Sequence, residues 1–282
     1  MERENWTSRL GFILAASGSA IGLGNIWRFP FITGTNGGAI FILIYLAAIL
    51  FIGYPILVSE MSLGRITEKN PIGAFKKMAP DTAWPLVGAL GVLSGFVILS
   101  YYSVVAGWGM SYIFKSLTFT AESNFPAIFS SHISSFAEPI LWHGVFMFLT
   151  IAVIGAGVVN GIQKLVKVLM PILFVIIFLL IIRSVTLEGA AAGLSFYLKP
   201  DFSAITFQTF ADAISQAFFT LSLGMGAMIT YGSYLNKKES INESAGYVLI
   251  FDTAVALLAG FAIFPAVFAF GLDPASGPGL TF

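Results

Sequence analysis

The chain has 282 residues, 57% of them hydrophobic and 10% charged, and a mean hydropathy of +0.89. A soluble globular domain carries roughly 25% charged residues, so a water-exposed fold is excluded and lipid is the expected solvent. Fourteen basic residues balance 14 acidic ones and no basic run is longer than a Lys-Lys pair, so nucleic acid is not an expected partner. Cysteine is absent, which removes disulfides, thiolate metal sites and a Cys nucleophile.

At the start, the apolar stretch 10–16 followed by Ser17, Gly18, Ser19 and Ala20 has the outline of a signal peptide with its cleavage site. Glu2 and Glu4 spoil the positive flank, and the apolar pattern resumes at once through Ile26, Trp27 and Phe29, so this stretch reads as a membrane span. Crossing hydrocarbon takes about 20 mostly apolar residues in a helix. Seven segments qualify, at about 9–33, 38–61, 84–115, 139–158, 165–184, 206–235 and 245–271, and the expected fold is an all-α membrane protein of seven transmembrane helices. Of the two longer connections, 116–138 has Ser and Phe residues with no clear period, and in 185–205 Pro200-Asp201 marks a turn.

Orientation follows from the Lys and Arg residues near the span ends. Arg3, Arg9, Arg65, Lys69, Lys76, Lys77, Lys164, Lys167, Lys237 and Lys238 fall on the side of the N-terminus, and Lys115, Arg183 and Lys199 on the other. The N-terminus is therefore expected in the cytoplasm and the protein in the cell membrane.

The first and sixth spans are interrupted by glycines, at Gly18, Gly22 and Gly24 and at Gly224 and Gly226. Paired interruptions in corresponding helices point to a transporter site built on unwound backbone. Close helix packing is the competing reading, since Gly18-x-x-x-Gly22 is a small-residue spacing suited to it. A dinucleotide fingerprint is excluded, because no third glycine follows Gly24 at the needed spacing and no strand precedes it.

Three long motifs then carry a resemblance. The run from Arg9-Leu10-Gly11-Phe12 through Gly22-Leu23-Gly24-Asn25-Ile26-Trp27-Arg28-Phe29-Pro30 to Asn36-Gly37-Gly38 closely resembles the first helix of the neurotransmitter:sodium symporter family. Glu60-Met61-Ser62-Leu63-Gly64-Arg65 and Gln216-Ala217-Phe218-Phe219-Thr220-Leu221-Ser222-Leu223-Gly224 resemble two more of its signatures, in the same order. The resemblance covers the whole chain and is nearest to bacterial amino-acid transporters of the leucine and multihydrophobic type. It implies that the two broken helices meet near the middle of the membrane.

The resemblance implies sodium-coupled symport of an apolar or aromatic L-amino acid by alternating access, in a fold of two inverted five-helix repeats. Residues 1–184 would form the first repeat, 185–205 an extracellular loop, and 206–282 the start of the second repeat, truncated after two helices. Members have about twelve helices, and Phe282 falls where the resemblance places the loop before the eighth. The chain alone is therefore expected to be an inactive fragment. A passive channel or a non-transporting membrane subunit is the alternative; a channel would need a pore ring from several subunits. No enzyme is expected, since no HExxH, Gly-x-Ser-x-Gly or intramembrane Asp pair occurs. A seven-helix receptor or retinal pump places its N-terminus outside, and the seventh span has no Lys for a Schiff base.

By resemblance, one sodium ion would be held by the Ala20 carbonyl, Asn25, Thr220, Asp252 and the substrate carboxylate, and a second by the carbonyls of Gly18 and Ile21 with its remaining ligands from the family's eighth helix. The substrate carboxylate would meet the Leu23 and Gly24 amides and the Tyr102 hydroxyl. Its amino group would meet carbonyls of Ala20, Phe219 and Thr220 and the Ser222 hydroxyl, while Ile98, Phe219 and Met225 line the side-chain pocket. Arg28 and Phe219 resemble an outer gate, Arg3 and Trp6 an inner one, and Glu60 a buried acid supporting the loose backbone. Asp212 reads as a dipole-complementing residue in the first turn of the sixth helix, and His132 and His143 receive no role.

Amine-transporting members carry an Asp where this chain has Gly22, so the substrate here is expected to bring its own carboxylate. Chloride-dependent members hold the anion with a hydroxyl at the position of Ala256, while Asp252 stands where the family usually has Asn. No chloride requirement is expected, and Asp252 is expected to take a proton on the return step.

Overall fold

A computed structural model describes residues 9–120, 123–277 and 279. No strand occurs among the described residues. In lipid every main-chain N–H and C=O must be satisfied within its own segment, which leaves helix as the form available to such an apolar chain.

In chain order the helices are α1 (Arg9–Ala20), α2 (Phe29–Thr35), α3 (Ala39–Thr67), α4 (Pro71–Met78), α5 (Trp84–Lys115), α6 (Phe125–Ser134), α7 (Ala137–Gly155), α8 (Asn160–Val185), α9 (Ala190–Leu198), α10 (Phe207–Thr220), α11 (Ala227–Gly232) and α12 (Ile241–Ala269). Five of them, α3, α5, α7, α8 and α12, are long and apolar enough to cross a membrane. The expected spans 9–33 and 206–235 are each split into two shorter helices. One is α1 and α2, joined through a π-helical turn at Gly24–Arg28, and the other is α10 and α11.

Two stretches expected to be connections contain helices. α6 starts where Asn124 Oδ1 accepts the Ala127 N–H at 3.1 Å, with Pro in its first turn. α9 is held by Tyr197, whose hydroxyl donates to the Leu257 carbonyl at 2.9 Å and whose ring stacks on Phe264 at 5.2 Å. Gly260 on α12 is what admits that ring, since a Cβ there would run into it. α3 continues past its expected end at 61 and stops at Thr67, where Glu68 turns left-handed (φ 56°) and its N–H closes on the Gly64 carbonyl at 2.8 Å.

The core follows the broken helices. On one side of the interruptions Ala16, Leu57, Met61, Leu221, Met228 and Ala245 pack together; on the other, Phe29, Phe41, Tyr45, Ala217 and Phe264 do. Glycine permits the closest approach. A Cβ on Gly232 of α11 would lie 2.8 Å from Met61 Cα on α3, so the two helices meet backbone to backbone. At that end Arg65 also donates to the Glu239 carbonyl at 2.5 Å, while the exposed Lys237–Glu68 pair at 2.9 Å adds little. α7 has no buried residue, which suits a helix bathed in lipid.

Candidate functional site

The two interruptions lie side by side. In the first, the main-chain ladder ends with Ile21 N–H on the Ser17 carbonyl (2.6 Å) and resumes with Asn25 N–H on the Gly22 carbonyl (3.1 Å). The amides between are taken by side chains: Gly22 N–H donates to Asn25 Oδ1 at 2.9 Å and Gly24 N–H to the Tyr102 hydroxyl at 3.0 Å. In the second, Leu223 N–H closes on the Phe218 carbonyl at 2.9 Å and the ladder resumes with Thr230 on Gly226 at 3.0 Å. Ser222, Gly224 and Gly226 all take positive φ, 55°, 79° and 77°. For Ser222 that is a strained conformation of about 1 to 2 kcal/mol. Its hydroxyl reaches the Ser19 carbonyl at 3.4 Å, across to the other interruption.

Asp252 of α12 closes the space between them. It is fully buried, and its carboxylate accepts from Asn25 Nδ2 at 2.8 Å and from the Thr220 hydroxyl at 3.0 Å to each oxygen. Asn25 Nδ2 also donates to Thr220 Oγ1 at 3.1 Å and to the Asp252 carbonyl at 3.0 Å. Among the described residues no Lys, Arg or His pairs with this acid. An intramembrane carboxylate costs about 2.5 to 3.5 kcal/mol even on the most lenient scale, and two neutral donors do not cancel a full charge. The set is all oxygen apart from the Asn25 amide nitrogen, which is the donor chemistry a hard cation takes.

Around this cluster the structure places Gly24, Tyr102 and Phe219 together. A Cβ on Gly24 would lie 3.2 Å from the Phe219 ring, and the Tyr102 and Phe219 rings meet at 5.9 Å. A Cβ on Gly22 would sit 3.1 Å from the Tyr102 hydroxyl. Leu23 is half-buried at the break and Ala20 is buried just before it. Met225 faces α5, its Cβ 3.9 Å from where a side chain on Gly95 would begin, and Ile98 is half-buried one turn further along α5. Gly18 abuts Val166 of α8, and Ile21 packs with Met170, Ile177 and Val255, so this pair faces α8.

Arg28 lies over the Phe219 ring at 4.8 Å and donates to Gln216 Oε1 and, at 3.0 Å, to the Ser215 hydroxyl. Glu60 Oε1 accepts the Gly224 N–H at 2.7 Å, and its other oxygen, buried and without a hydrogen bond, belongs to a residue lining a cavity of about 260 Å3 between α3, α4 and α5. Arg3 and Trp6 lie outside the described residues.

Asp212 corrects the expectation made for it. α10 begins at Phe207 with Thr206 as its cap, which puts Asp212 in the second turn, where it accepts from Asn36 at 3.0 Å and Gln208 at 2.8 Å and ties the end of α2 to α10. His132 likewise has partners. Its Nδ1 is 2.9 Å from Glu138 and 3.2 Å from Lys115, which are themselves 3.0 Å apart. Sequence reading also passed over Gln216, whose amide donates to the Gly24 carbonyl at 2.9 Å while accepting from Arg28. Its spacing of four from Thr220, which puts both on one helix face, was the available signal.

A model of the sodium:neurotransmitter symporter family matches residues 3–125 and 128–272. The uncharacterized sodium-dependent transporter YhdH of Bacillus subtilis is 47% identical over 281 residues, 98% of this chain and 62% of its own length. An uncharacterized sodium-dependent transporter of Haemophilus influenzae is 38% identical over 295 residues, 100% of this chain and 65% of its own. The crystal structure of MhsT in complex with L-phenylalanine superimposes with a TM-score of 0.94 at 49% identity, covering 99% of this chain and 64% of MhsT. The chain thus spans less than two thirds of the length of these relatives.

Proposed function

The chain belongs to the sodium:neurotransmitter symporter family, and we propose that it carries the sodium- and substrate-binding part of a symporter that moves an amino acid with sodium by alternating access. The observation that carries this reading is the buried Asn25–Thr220–Asp252 cluster, a carboxylate without a cationic partner among the described residues, set where two helices are interrupted. Sodium supplies the charge that the amide and hydroxyl donors do not.

The Ala20 carbonyl, Asn25, Thr220 and Asp252 bind the first ion together with the substrate carboxylate, which makes each ligand part of the other's site. The Asn25 amide now turns its nitrogen toward Asp252 and its oxygen toward Gly22. Sodium entry turns the amide over, so that its oxygen meets the ion and the Gly22 N–H is released. The second ion takes the Gly18 and Ile21 carbonyls.

The substrate is an apolar or aromatic L-amino acid. Its carboxylate replaces Tyr102 as acceptor for the Gly24 N–H and accepts from the Leu23 N–H and the Tyr102 hydroxyl; its side chain lies among Ile98, Phe219 and Met225. The Phe219 ring beside Gly24 and the similarity to MhsT, solved with L-phenylalanine, support this choice. Arg28 over Phe219 forms one side of the outer gate. Arg3 and Trp6 belong to the inner one, and Glu60 anchors the Gly224 turn. The lysine-rich loops face the cytoplasm, and the seven expected spans hold one five-helix repeat and two helices of a second.

The fixed negative charge of Asp252 takes the place of chloride, and a proton replaces sodium there on the return step. Transport is proposed for a protein of full family length, and binding for this chain. Radiolabelled L-phenylalanine binding to the purified chain tests it: binding in sodium but not in potassium is expected, unchanged when gluconate replaces chloride. Equal binding in sodium and potassium overturns the symport reading, and loss in gluconate overturns chloride independence.

A further inference from the structure

A second cavity, of about 720 Å3, opens at the far ends of α8 and α12, away from the helix interruptions. Small-molecule sites are about 300 to 1,000 Å3, so the space is large enough for an organic ligand. Its lining is largely apolar, with Leu180 of α8 and Phe270 just past α12 exposed and Ile263 and Ala266 of α12 and Phe129 of α6 half-buried. Lys164 and Lys167 begin α8 and Lys237 and Lys238 precede α12, so this is the end opposite the lysine-rich loops.

Three polar side chains on the wall make it more than a greasy slot. Ser184 is buried, and its hydroxyl has no hydrogen-bond partner, although a helical serine ordinarily bonds the carbonyl one turn back. A buried hydroxyl left unpaired is costly, so a ligand that supplies an acceptor is favoured there. Arg183 is exposed, and its guanidinium makes no hydrogen bond or ion pair among the described residues. Asp273, on the same wall, accepts the Ala275 N–H with Oδ1 at 2.8 Å and has its second oxygen to spare. Arg183 and Ser184 stand at the last turn of a membrane span, which ends at Val185, the depth at which lipid phosphates lie.

We propose that this cavity binds one phosphoethanolamine lipid, with an acyl chain among the apolar residues, the phosphate on Arg183 and Ser184, and the ammonium on Asp273. The guanidinium fork matches two phosphate oxygens, and the serine hydroxyl gains the acceptor it lacks. One positive and one negative group on the rim match a zwitterionic head that has N–H donors. A choline head offers no donor to Asp273, and a glycerol head no positive charge.

The purified chain is equilibrated with mixed micelles holding equal phosphatidylethanolamine, phosphatidylcholine and phosphatidylglycerol of identical chains, then washed, and retained lipid is counted by mass spectrometry. Phosphatidylethanolamine is expected to exceed phosphatidylcholine by about tenfold, the size of one charge-assisted contact. Arg183→Gln should lower retention of every phospholipid and Arg183→Lys restore part of it. Asp273→Asn should erase the preference for ethanolamine over choline while total retention changes less. Ala266→Trp, which fills the cavity, should release the lipid, with circular dichroism confirming that the variant is folded. Lys199→Gln, at the same end but off the cavity wall, should change nothing. Equal retention of the three lipids by the wild-type chain, or a preference that survives both Arg183→Gln and Asp273→Asn, overturns the assignment.

Discussion

The two helix interruptions begin alike in sequence, Ile21-Gly22-Leu23-Gly24 and Leu223-Gly224-Met225-Gly226, and are built differently. In the first, backbone amides are met by side chains, Asn25 and Tyr102, and none of its residues takes a positive φ. In the second, three residues take left-handed backbone and one carboxylate, Glu60, collects the Gly224 amide. The first break is held open by polar side chains, of which Asn25 also meets Asp252, and the second by the shape of the chain itself. Glycine therefore does two jobs: at Gly22 and Gly24 it makes room for a hydroxyl and a ring, and at Gly224 and Gly226 it permits the turn.

Substitutions that separate these jobs differ in size. Asp252→Ala removes the carboxylate against which Asn25 and Thr220 are arranged, and sodium affinity measured with 22Na+ should fall by more than about 100-fold, the effect of losing a buried charge partner. Gly226→Ala should come next, because its Cβ adds left-handed strain and lies 2.8 Å from the Pro71 Cβ of α4. A loss of about 3 kcal/mol is expected in detergent unfolding. Gly22→Asp places a carboxylate against the Tyr102 hydroxyl, so amino-acid affinity should fall about tenfold and a decarboxylated analogue should gain on its parent. Gly224→Ala is the mildest: nothing lies within 4 Å of the new Cβ, leaving only left-handed strain of about 1 kcal/mol. If Gly224→Ala proved as damaging as Gly226→Ala, the contact with Pro71 would not be what distinguishes the two glycines.

Hydropathy made the long helices legible, because α3, α5, α7, α8 and α12 each contain a long, predominantly apolar stretch. Glycine position made the interruptions legible too. α6 and α9 were not, since each is short and neither shows a clear period; α9 owes its place to Tyr197 reaching the Leu257 carbonyl, a contact between residues far apart in the chain. In the site, Asn25, Thr220 and Asp252 were named through the resemblance, Asp252 also as an acid inside an apolar span, and the structure brings all three within hydrogen-bond reach. Gln216 was missed, and Asp212 was given a helix-dipole role in place of its tie to Asn36, because their partners, the Gly24 carbonyl and Asn36, come from the other broken helix, and no local pattern encodes that pairing.

Sodium and an amino acid are proposed to share one site at Asn25, Thr220 and Asp252. Equilibrium binding of 22Na+ to the purified chain with and without L-phenylalanine, paired with L-phenylalanine binding at low and high sodium, tests it most directly. Linked sites must raise each other's affinity by one common factor. The expected result is a single factor of about tenfold or more in both directions, abolished in Asp252→Ala. Sodium binding indifferent to L-phenylalanine in the wild-type chain would contradict a shared site.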